Sequence, residues 1–383
     1  MDVTQLATFV NTATSEALGE AAISTEDLSN IVDIGEAVFS ANAVDRYVNA
    51  LVNQIGKVII VDRVYKGTAP SVLYDAWEYG SVLEKIRIEM PEATTSPVWS
   101  LTNQQSYDPN VFYQPTVSVK FYNSKTTFQI PYSITRLQVK QSFTSPTQLN
   151  AFISGIYTAT ENSVTVKTEE MVRRAINSMI SMTFYDDYAD VEASKKSGVK
   201  AVNLLYLYNQ AAVGSLTADD ALNDADFLRF AGATIERYAD RMRSMSTLFN
   251  VEGTAKFTPD DLQHRVYHAD FATAVKYNLY STSYNRDDVL LPAGEVVPYW
   301  QGSGPDYGFD STSSVMVTQN GHTTNVPGVV AVIFDRDALG VCNLDKRVTT
   351  NYNPVAEFYT NFYNVDAAYF NDPAENFVFF FIA

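Results

Sequence analysis

Apolar side chains recur at helical spacing between residues 146 and 186, in a chain otherwise dense in β-branched and aromatic residues. No proline interrupts this stretch after Pro146, and an acidic cluster, Asp186 and Asp187, follows it. The pattern predicts one helix of roughly 37 residues, about 55 Å long at 1.5 Å per residue. A helix of that length typically acts as a rigid support for other parts of a fold. The members of the apolar stripe are Leu149, Phe152, Ile153, Ile156, Val164, Met171, Val172, Ala175, Ile176, Met179 and Ile180.

The ends and middle of this helix carry different signals. Ser145, Pro146 and Gln148 form a capping box with proline at the first helical position. Two acid–base pairs at i,i+4 spacing favour the second half, Glu169 with Arg173 and Glu170 with Arg174. Residues 160–168 (TENSVTVKT) are poor helix formers, so we expect any kink or break there. The stripe does not keep a heptad, which argues against a coiled coil.

Period-two alternation replaces the helical pattern in residues 56–141. In "VLEKIRIEM" and "PTVSVKFYN", apolar positions alternate with charged or polar ones, and "KVIIVDRVY" and "TTFQIPYSI" are also strand-like. Clean alternation predicts strands with one face covered and the other in water. A long polar connection, residues 91–110, joins the two alternating strands, and loops of that length are usually functional or flexible. We therefore predict an antiparallel excursion with too little apolar content to stand alone.

The sequence predicts four further helical segments and two buried strands. Helical spacing occurs in residues 2–18, 41–55, 224–242 and 258–279, with Thr258 expected to cap the last of these. A chain that ends in "FVFFFIA" is expected to bury that end in a sheet, and "VVAVIFDRDAL" (329–339) has the pattern of a buried strand.

Composition excludes several classes of function. The 383 residues are 46% hydrophobic and 13% aromatic, as in an ordered globular protein, and the net charge is −17. That charge argues against a nucleic-acid-binding surface and against an anionic membrane as partner. Eight acids precede the first basic residue, Arg46; we favour a solvated acidic face, with docking on a basic neighbour as the alternative. Because no basic residue precedes Arg46, we expect no signal peptide at the start of this sequence. We also expect no membrane span, since no apolar run approaches the required length.

Candidate chemistry is sparse. Cys342, the single cysteine, lies in apolar sequence and is expected to be a buried structural thiol in a reducing cytoplasm. His264 and His268 lack the glutamate and third ligand of a zinc protease, so we interpret them as surface histidines of a helix. "TADDALNDADF" favours a helix start over a calcium loop, and "GSGPDYG" is not a phosphate-binding loop. We predict no catalytic, cofactor-binding or metal-binding residue, no cofactor and no enzymatic activity.

The order of elements resembles a known family. "WEYGSVLEKIRIEM" with "VSVKFYNSKTTFQIP", "SPTQLNAFISGIYTATENSVTVKTEEMVRRAINSMI", "GVVAVIFDRDALGV" and the closing "VAEFYTNFYNVDAAYFNDPAENFVFFFIA" resemble major capsid proteins of tailed bacteriophages with the Hong Kong 97 fold. The chain is similar in particular to those of small phages of Gram-positive hosts.

The resemblance implies an α+β fold with four parts. These are an N-terminal arm (1–55), an extended loop and its base strands (56–141), a peripheral domain with a long spine helix (142–186 and 330–383) and an axial domain (187–329). It also implies a major capsid protein that self-assembles, as hexamers and pentamers, into an icosahedral virion shell around double-stranded DNA. The extended loop would lie over an adjacent subunit. Scaffolding, portal and cement proteins are the further partners implied, with assembly in the host bacterial cytoplasm and no membrane partner.

Two departures and two alternatives accompany this resemblance. The arm is too short to be a large cleaved scaffolding segment, and nothing marks Lys120 or Lys125 for the Lys–Asn cross-link of some relatives. An encapsulin-like compartment is the alternative within the same fold. The aromatic content also suits a β-rich carbohydrate-binding protein or glycosidase, which would be an independently stable monomer.

Overall fold

The computed structural model of the chain describes residues 3–18, 31–40, 43–50, 70–74, 83–142, 146–188, 196–212, 215–280, 291–301, 309–319 and 322–383, apart from positions 45, 49, 71 and 92. The helices are α1 (Val3–Leu18), α2 (Ile31–Ser40), α3 (Arg136–Ser142), α4 (Pro146–Asp187), α5 (Leu204–Ala212), α6 (Ala218–Ala221), α7 (Ala225–Met242), α8 (Ala269–Tyr280) and α9 (Phe309–Thr312). The strands are β1 (Leu73–Tyr74), β2 (Leu83–Ile88), β3 (Val117–Tyr122), β4 (Lys125–Thr135), β5 (Ala201–Asn203), β6 (Gln263–His268), β7 (Glu295–Val297), β8 (Val315–Gln319), β9 (His322–Val326), β10 (Val329–Asp335), β11 (Leu339–Asn353), β12 (Phe358–Asn371) and β13 (Phe377–Phe381).

Two sheets and two hairpins organise these strands, and the chain has the expected α+β composition. A four-stranded sheet has the order β1-β11-β12-β4, and a five-stranded sheet has the order β5-β13-β10-β6-β7. β2 pairs with β3, and β8 with β9, as separate two-stranded ribbons. The five-stranded sheet combines strands from residues 187–329 with β10 and β13, so the expected peripheral and axial segments share one sheet.

The predicted long helix is confirmed as α4, a single helix of 42 residues. It continues through residues 160–168, where Thr160 and Thr168 donate hydroxyl hydrogen bonds of 2.9 Å to the carbonyls four residues earlier. These bonds give buried hydroxyls a partner without breaking the backbone ladder. Glu169 pairs with Arg173 at 3.6 Å, as predicted, whereas Glu170 pairs with Lys167. The predicted cap at Ser145 lies outside the described residues.

The closing apolar strand is a central strand of the five-stranded sheet, as the sequence predicts. All five residues of β13 are buried. Because side chains alternate across a strand, Phe379 and Phe381 pack in the core that contains α4, while Val378 and Phe380 pack in the core formed with α5, α7 and α8. The sheet is therefore covered on both faces, which explains an uninterrupted apolar run.

The N-terminal helices pack on their own chain. Val10, Ala13 and Ala17 of α1 are buried in a core shared with Ile134 and Tyr359. Their acidic residues lie on the opposite side: Asp33 and Glu36 of α2 are exposed. Exposure of these acids fits both a solvated face and a face that docks on a basic neighbour, so the two interpretations stay open. Of the predicted helix at 41–55, Val44, Tyr47 and Val48 join the same core, and residues 51–55 lie outside the described part.

The helix predicted at 258–279 is partly wrong. Residues 260–262 form one turn of 3₁₀ helix, residues 263–268 form β6 between β10 and β7, and the α-helix is confined to 269–280. His264 stacks on Phe334 and His268 is fully buried, so neither is a surface histidine of a helix. Thr258 does not cap; its buried hydroxyl donates to Asp335 at 2.6 Å. The apolar spacing was ambiguous, and pairing with the buried strand β10 decided the outcome. The predicted strand "KVIIVDRVY" and the loop "GSGPDYG" lie outside the described residues.

Candidate assembly interface

The β2–β3 hairpin presents its apolar face outward. Antiparallel pairing places Ile86 opposite Val119 and Ile88 opposite Val117, so these side chains share one face. That face is open: Ile86 is 63% exposed and Ile88 is 67% exposed. The sequence predicted one wet face and one covered face, and the structure makes the apolar face the uncovered one. A face of this kind marks an interaction surface.

The connection between the two strands extends the same surface. The connection contains a single turn of 3₁₀ helix at Pro97–Trp99. Ser96 caps this turn, because its side chain accepts a hydrogen bond from the Val98 amide. Its large side chains project into solvent, and Trp99 is 98% exposed. Burying an indole or phenyl ring is worth several kcal/mol at an interface, so aromatic residues so placed are candidate anchors. The exposed large apolar residues of this connection are Met90, Val98, Trp99, Leu101, Tyr107, Val111, Phe112 and Tyr113.

The opposite face of the hairpin is basic and points toward the body of the chain. Lys85 and Lys120 lie directly across from each other in the register. The ammonium of Lys85 contacts Asp372 and Glu375, each at 2.7 Å. The ammonium of Lys120 contacts Asp372 at 2.9 Å and Glu252 at 2.5 Å. Three acids from two distant loops therefore hold two lysines of one ribbon.

Lys256 completes this group by pairing with Glu375 at 2.6 Å. We call the six residues the anchor cluster: Lys85, Lys120, Lys256, Glu252, Asp372 and Glu375. Its three positive and three negative charges balance, which offsets the cost of burying the carboxylates of Asp372 and Glu375. The side chains of Asp372 and Glu375 are only 2% and 7% exposed, so these contacts are screened little by solvent.

The protonation of the anchor cluster follows from its geometry. Burial by itself would raise the pKa of Asp372, but hydrogen bonds from Lys85 and Lys120 outweigh it and lower that pKa to about 2. Burial would lower the pKa of Lys85, and the hydrogen bonds to Asp372 and Glu375 raise it instead. Both partners thus stay charged at neutral pH. The cluster fixes the hairpin with its basic face inward and its apolar face free.

A groove of about 800 Å³ lies beside the root of the hairpin, between α4, the β8 strand and the end of β12. The Arg173 guanidinium stacks over the Tyr299 ring at 4.2 Å from its centroid. Asn177 donates to the Trp300 carbonyl at 2.8 Å, and the Trp300 indole donates to Val329 at 2.7 Å. These contacts hold Tyr299 and Trp300, the aromatic side of the groove, against α4.

Sequence reasoning identified the hairpin but not the anchor cluster. Asp372 and Glu375 lie in "NDPAEN", between β12 and β13, and nothing in that segment marks them as partners of a distant ribbon. Of the residues considered for chemistry, Cys342 is buried in β11 as predicted. Asp224 caps α7 by accepting from the Phe227 amide at 2.7 Å, which confirms the predicted helix start.

The described residues contain neither a metal-binding cluster nor a membrane-spanning helix. No group of three or more His, Cys, Asp or Glu side chains is arranged to hold a metal ion there. Among the same residues, no helix is long and apolar enough to cross a membrane.

Comparison with known proteins gives one extensive match. A family model described as Phi29-like phage major capsid protein matches residues 10–381. No curated protein matches the sequence. The match to the family model covers nearly the whole of the chain, including the hairpin, the long helix and the closing strand.

Solved structures similar to the chain include phage capsids. The capsid structure of Staphylococcus phage Andhra is 10% identical, with 84% of this chain and 87% of that chain covered and a TM-score of 0.48. A structure of Mycobacterium phage Che8 is 12% identical, with coverages of 83% and 93% and a TM-score of 0.42. The capsid structure of the cyanophage P-SCSP1u is 8% identical, with coverages of 84% and 91% and a TM-score of 0.44.

Proposed function

The chain belongs to the Phi29-like phage major capsid protein family, and we propose that it forms an icosahedral virion shell, built from hexamers and pentamers, that encloses the double-stranded DNA genome. It is a structural protein of the capsid, and we assign it no enzymatic role. The observation that carries the proposal is the hairpin, which turns its basic face toward its own chain and leaves its apolar face uncovered.

The exposed hairpin face needs a partner, and a second copy is the partner we propose. Burying this apolar surface in an interface would lower the free energy by about 25 cal/mol for every Å² removed from water. Left exposed, the face does not gain this stabilisation. A shell supplies the cover, because every copy has a neighbour at a fixed position. Each contact then needs only modest energy, since one copy makes several. We propose that the connection between β2 and β3 lies over the adjacent subunit, as in the Hong Kong 97 fold.

We propose roles for the remaining parts from the resemblance to the Hong Kong 97 fold. α4 would support a peripheral domain, and residues 187–329 would form the axial domain that meets its copies at fivefold and sixfold positions. The net charge of −17 would keep the inner wall from binding the packaged DNA tightly. We propose assembly in the host cytoplasm, with separate scaffolding, portal and cement proteins as partners.

The test is negative-stain microscopy and sedimentation of the purified protein, alone and with a candidate scaffolding protein. We expect closed shells or curved sheets with fivefold or sixfold clusters. A monodisperse monomer under every condition would contradict the proposal and favour the carbohydrate-binding alternative, which a glycan array would then examine. Shells filled with a cargo enzyme and free of DNA in infected cells would favour the encapsulin-like alternative.

A matched pair of variants connects the result to the hairpin. Ile86→Thr with Val119→Thr removes apolar surface from the exposed face and keeps β-branched residues in both strands. We expect an unchanged monomer and a loss of shells. Val355→Thr is the control, because Val355 is 92% exposed in the turn between β11 and β12, outside this face. Equal assembly of both variants would remove the hairpin face from the proposal.

A further inference from the structure

Exposed charged residues lie near both ends of α7. Asp219 and Asp220 of the preceding helix α6 are exposed acids at its N-terminal end, and Asp226 in its first turn is exposed and pairs with Arg229 at 3.0 Å. Its C-terminal half carries Arg237 and Arg241, both exposed, together with the exposed acids Glu236 and Asp240, neither of which lines the groove described next. Asp226 and Arg237 face the same direction, because eleven residues are close to three turns of an α-helix, about 3.6 residues each.

The two arginines line a groove between α5 and α7. Its volume is about 390 Å³, and α5 contributes Leu207, Gln210 and Ala211 to its wall. Among the described residues, no carboxylate lines this groove. Within the described part of the chain neither guanidinium forms an ion pair, although several other arginines do. A groove with two positive charges and no acid is unusual in a chain of net charge −17.

Both guanidinium groups are held in place before any partner arrives. Arg237 donates from Nη2 to Thr234 Oγ1 at 2.9 Å and from Nε to the Ala233 carbonyl at 3.1 Å. Arg241 lies over the Tyr238 ring, 5.4 Å from its centroid. A fixed, planar guanidinium with free N–H groups matches a carboxylate, and less conformational entropy is lost on binding.

The acidic end of the same helix cannot reach these arginines. Along the axis of α7, Asp226 and Arg237 are separated by about 16 Å, at 1.5 Å per residue. An ion pair needs a separation of about 4 Å or less. The acidic end therefore cannot enter the groove of its own copy, whereas the acidic end of a second copy can.

We propose that the acidic end of one copy, formed by Asp219, Asp220 and Asp226, docks in the groove lined by Arg237 and Arg241 of a second copy. This inference rests on the proposed function, and it assigns a specific contact between neighbours in the shell. Two different patches meet, so the contact is head-to-tail and closes into a ring when the rotation permits. Exposed ion pairs contribute only about 0.2–1 kcal/mol each, so they set orientation and register more than affinity.

Charge reversal tests the contact directly. Arg237→Glu with Arg241→Glu makes the groove negative, and Asp219→Lys with Asp220→Lys makes the acidic end positive. All four positions are exposed, so each double variant is expected to melt like the parent protein. We expect each one alone to need about tenfold more protein to assemble, the change produced by about 1.4 kcal/mol. Normal assembly by either double variant would overturn the inference.

Mixing the two double variants provides the decisive control. A negative groove faces a positive end, and a positive groove faces a negative end, when the two variants alternate. Assembly is therefore expected to return in a one-to-one mixture, with rings of even number preferred. The variant with all four substitutions in one chain is also expected to assemble. Failure of both rescues, with all proteins folded, would show that the reversed charges act elsewhere.

Cysteine cross-linking separates this inference from the proposed function. Asp226→Cys with Arg237→Cys cannot close a disulfide within α7, because the two Cα atoms must lie within about 7 Å. Mild oxidation is expected to give ladders of linked copies even where complete shells do not form. Asp226→Cys with Glu236→Cys is the control, since Glu236 does not line the groove. Shells without a ladder would refute only the contact, and a ladder without shells would retain it.

Discussion

Lys85 and Lys120 face each other across the β2–β3 ribbon, and their ammonium groups contact the two oxygens of one carboxylate, Asp372, at 2.7 Å and 2.9 Å. Two like charges directly opposite in a hairpin are destabilising by themselves. The shared acid reverses that effect and makes the pair an attachment point. The side of the ribbon that faces outward is thus decided by the turn after β12, far along the chain from the ribbon itself.

Removing the charge of Asp372 should loosen this attachment. In Asp372→Asn, two partly buried lysines lose a common partner, and breaking a buried pair from one side costs about 3–5 kcal/mol. We expect a loss of about 3 kcal/mol in the free energy of unfolding, because Glu252 and Glu375 still pair with the lysines. Urea denaturation measures this change. Limited proteolysis should show faster cleavage within residues 89–116.

The control for this change is Asp366→Asn. Asp366 also forms an ion pair, with Arg347, but its side chain is 23% exposed and that of Arg347 is 47% exposed, against 2% for Asp372. An exposed pair contributes about 0–1 kcal/mol. We therefore expect a small loss of stability and no change in cleavage of the hairpin connection. Equal losses for the two variants would mean that burial does not distinguish the anchor cluster from a surface pair.

The anchor cluster also predicts the acid sensitivity of the protein. The pKa of Asp372 falls from its ordinary value of 3.8 to about 2 on folding. A lowered pKa stabilises the folded state above the unfolded value, and the contribution disappears as the pH drops through the folded value. We expect about 2 kcal/mol to be lost between about pH 5 and about pH 2, at 1.36 kcal/mol per pKa unit.

The measurement is urea denaturation of the parent and of Asp372→Asn across this range. The variant cannot titrate at this position, so its stability should depend less steeply on pH, and the two curves should converge at low pH. Parallel curves would indicate that other acids dominate and that the carboxylate of Asp372 is not specially stabilised.

The closing strand gives a prediction about the core. Phe380 of β13 is fully buried against α7, and its ring lies 5.4 Å from that of Tyr238. Phe380→Ala should cost about 3–5 kcal/mol, from lost burial together with the cavity left behind. Phe112→Ala should cost almost nothing in the monomer, since Phe112 is 83% exposed. Thermal denaturation of both variants checks the contrast, and similar melting temperatures would contradict the assignment of β13 to the core.

Periodicity predicted those elements whose environment is uniform along their length. The long helix, the buried strand β10 and the closing strand each have one pattern over many residues, so local sequence and tertiary packing agree. The hairpin alternation also predicted two strands with distinct faces. It could not tell which face would be open, because that depends on acids contributed by another part of the chain.

The segment from Thr258 to Tyr280 shows the opposite case. Its helix-start residues are genuine signals, yet Val266 and Tyr267 pair with β10, and the strand replaces the first half of the predicted helix. Short apolar runs fit either period, so tertiary pairing decides between them. The groove between α5 and α7 was equally hidden, because Arg237 and Arg241 are ordinary helix residues until α5 is placed beside them.

Two glycines with opposite environments offer a final prediction. Gly155 lies inside α4, and a Cβ placed there would meet nothing within 4 Å. Gly155→Ala should therefore raise the free energy of unfolding by about 0.5–1 kcal/mol, since alanine favours the helix and restricts the unfolded chain. Gly328 has φ +66°, and a Cβ there would lie 2.1 Å from the Ile382 carbonyl oxygen.

Gly328→Ala should lower the free energy of unfolding by more than about 2 kcal/mol, because both the backbone conformation and the contact are unfavourable. The amide of Ile382 donates to the Gly328 carbonyl at 2.9 Å, so a shift of this turn would also disturb the end of the chain beside β10. Urea denaturation of the two variants side by side measures both changes. A stabilising Gly328→Ala, or a destabilising Gly155→Ala, would show that the turn or the helix is built differently from the structure described above.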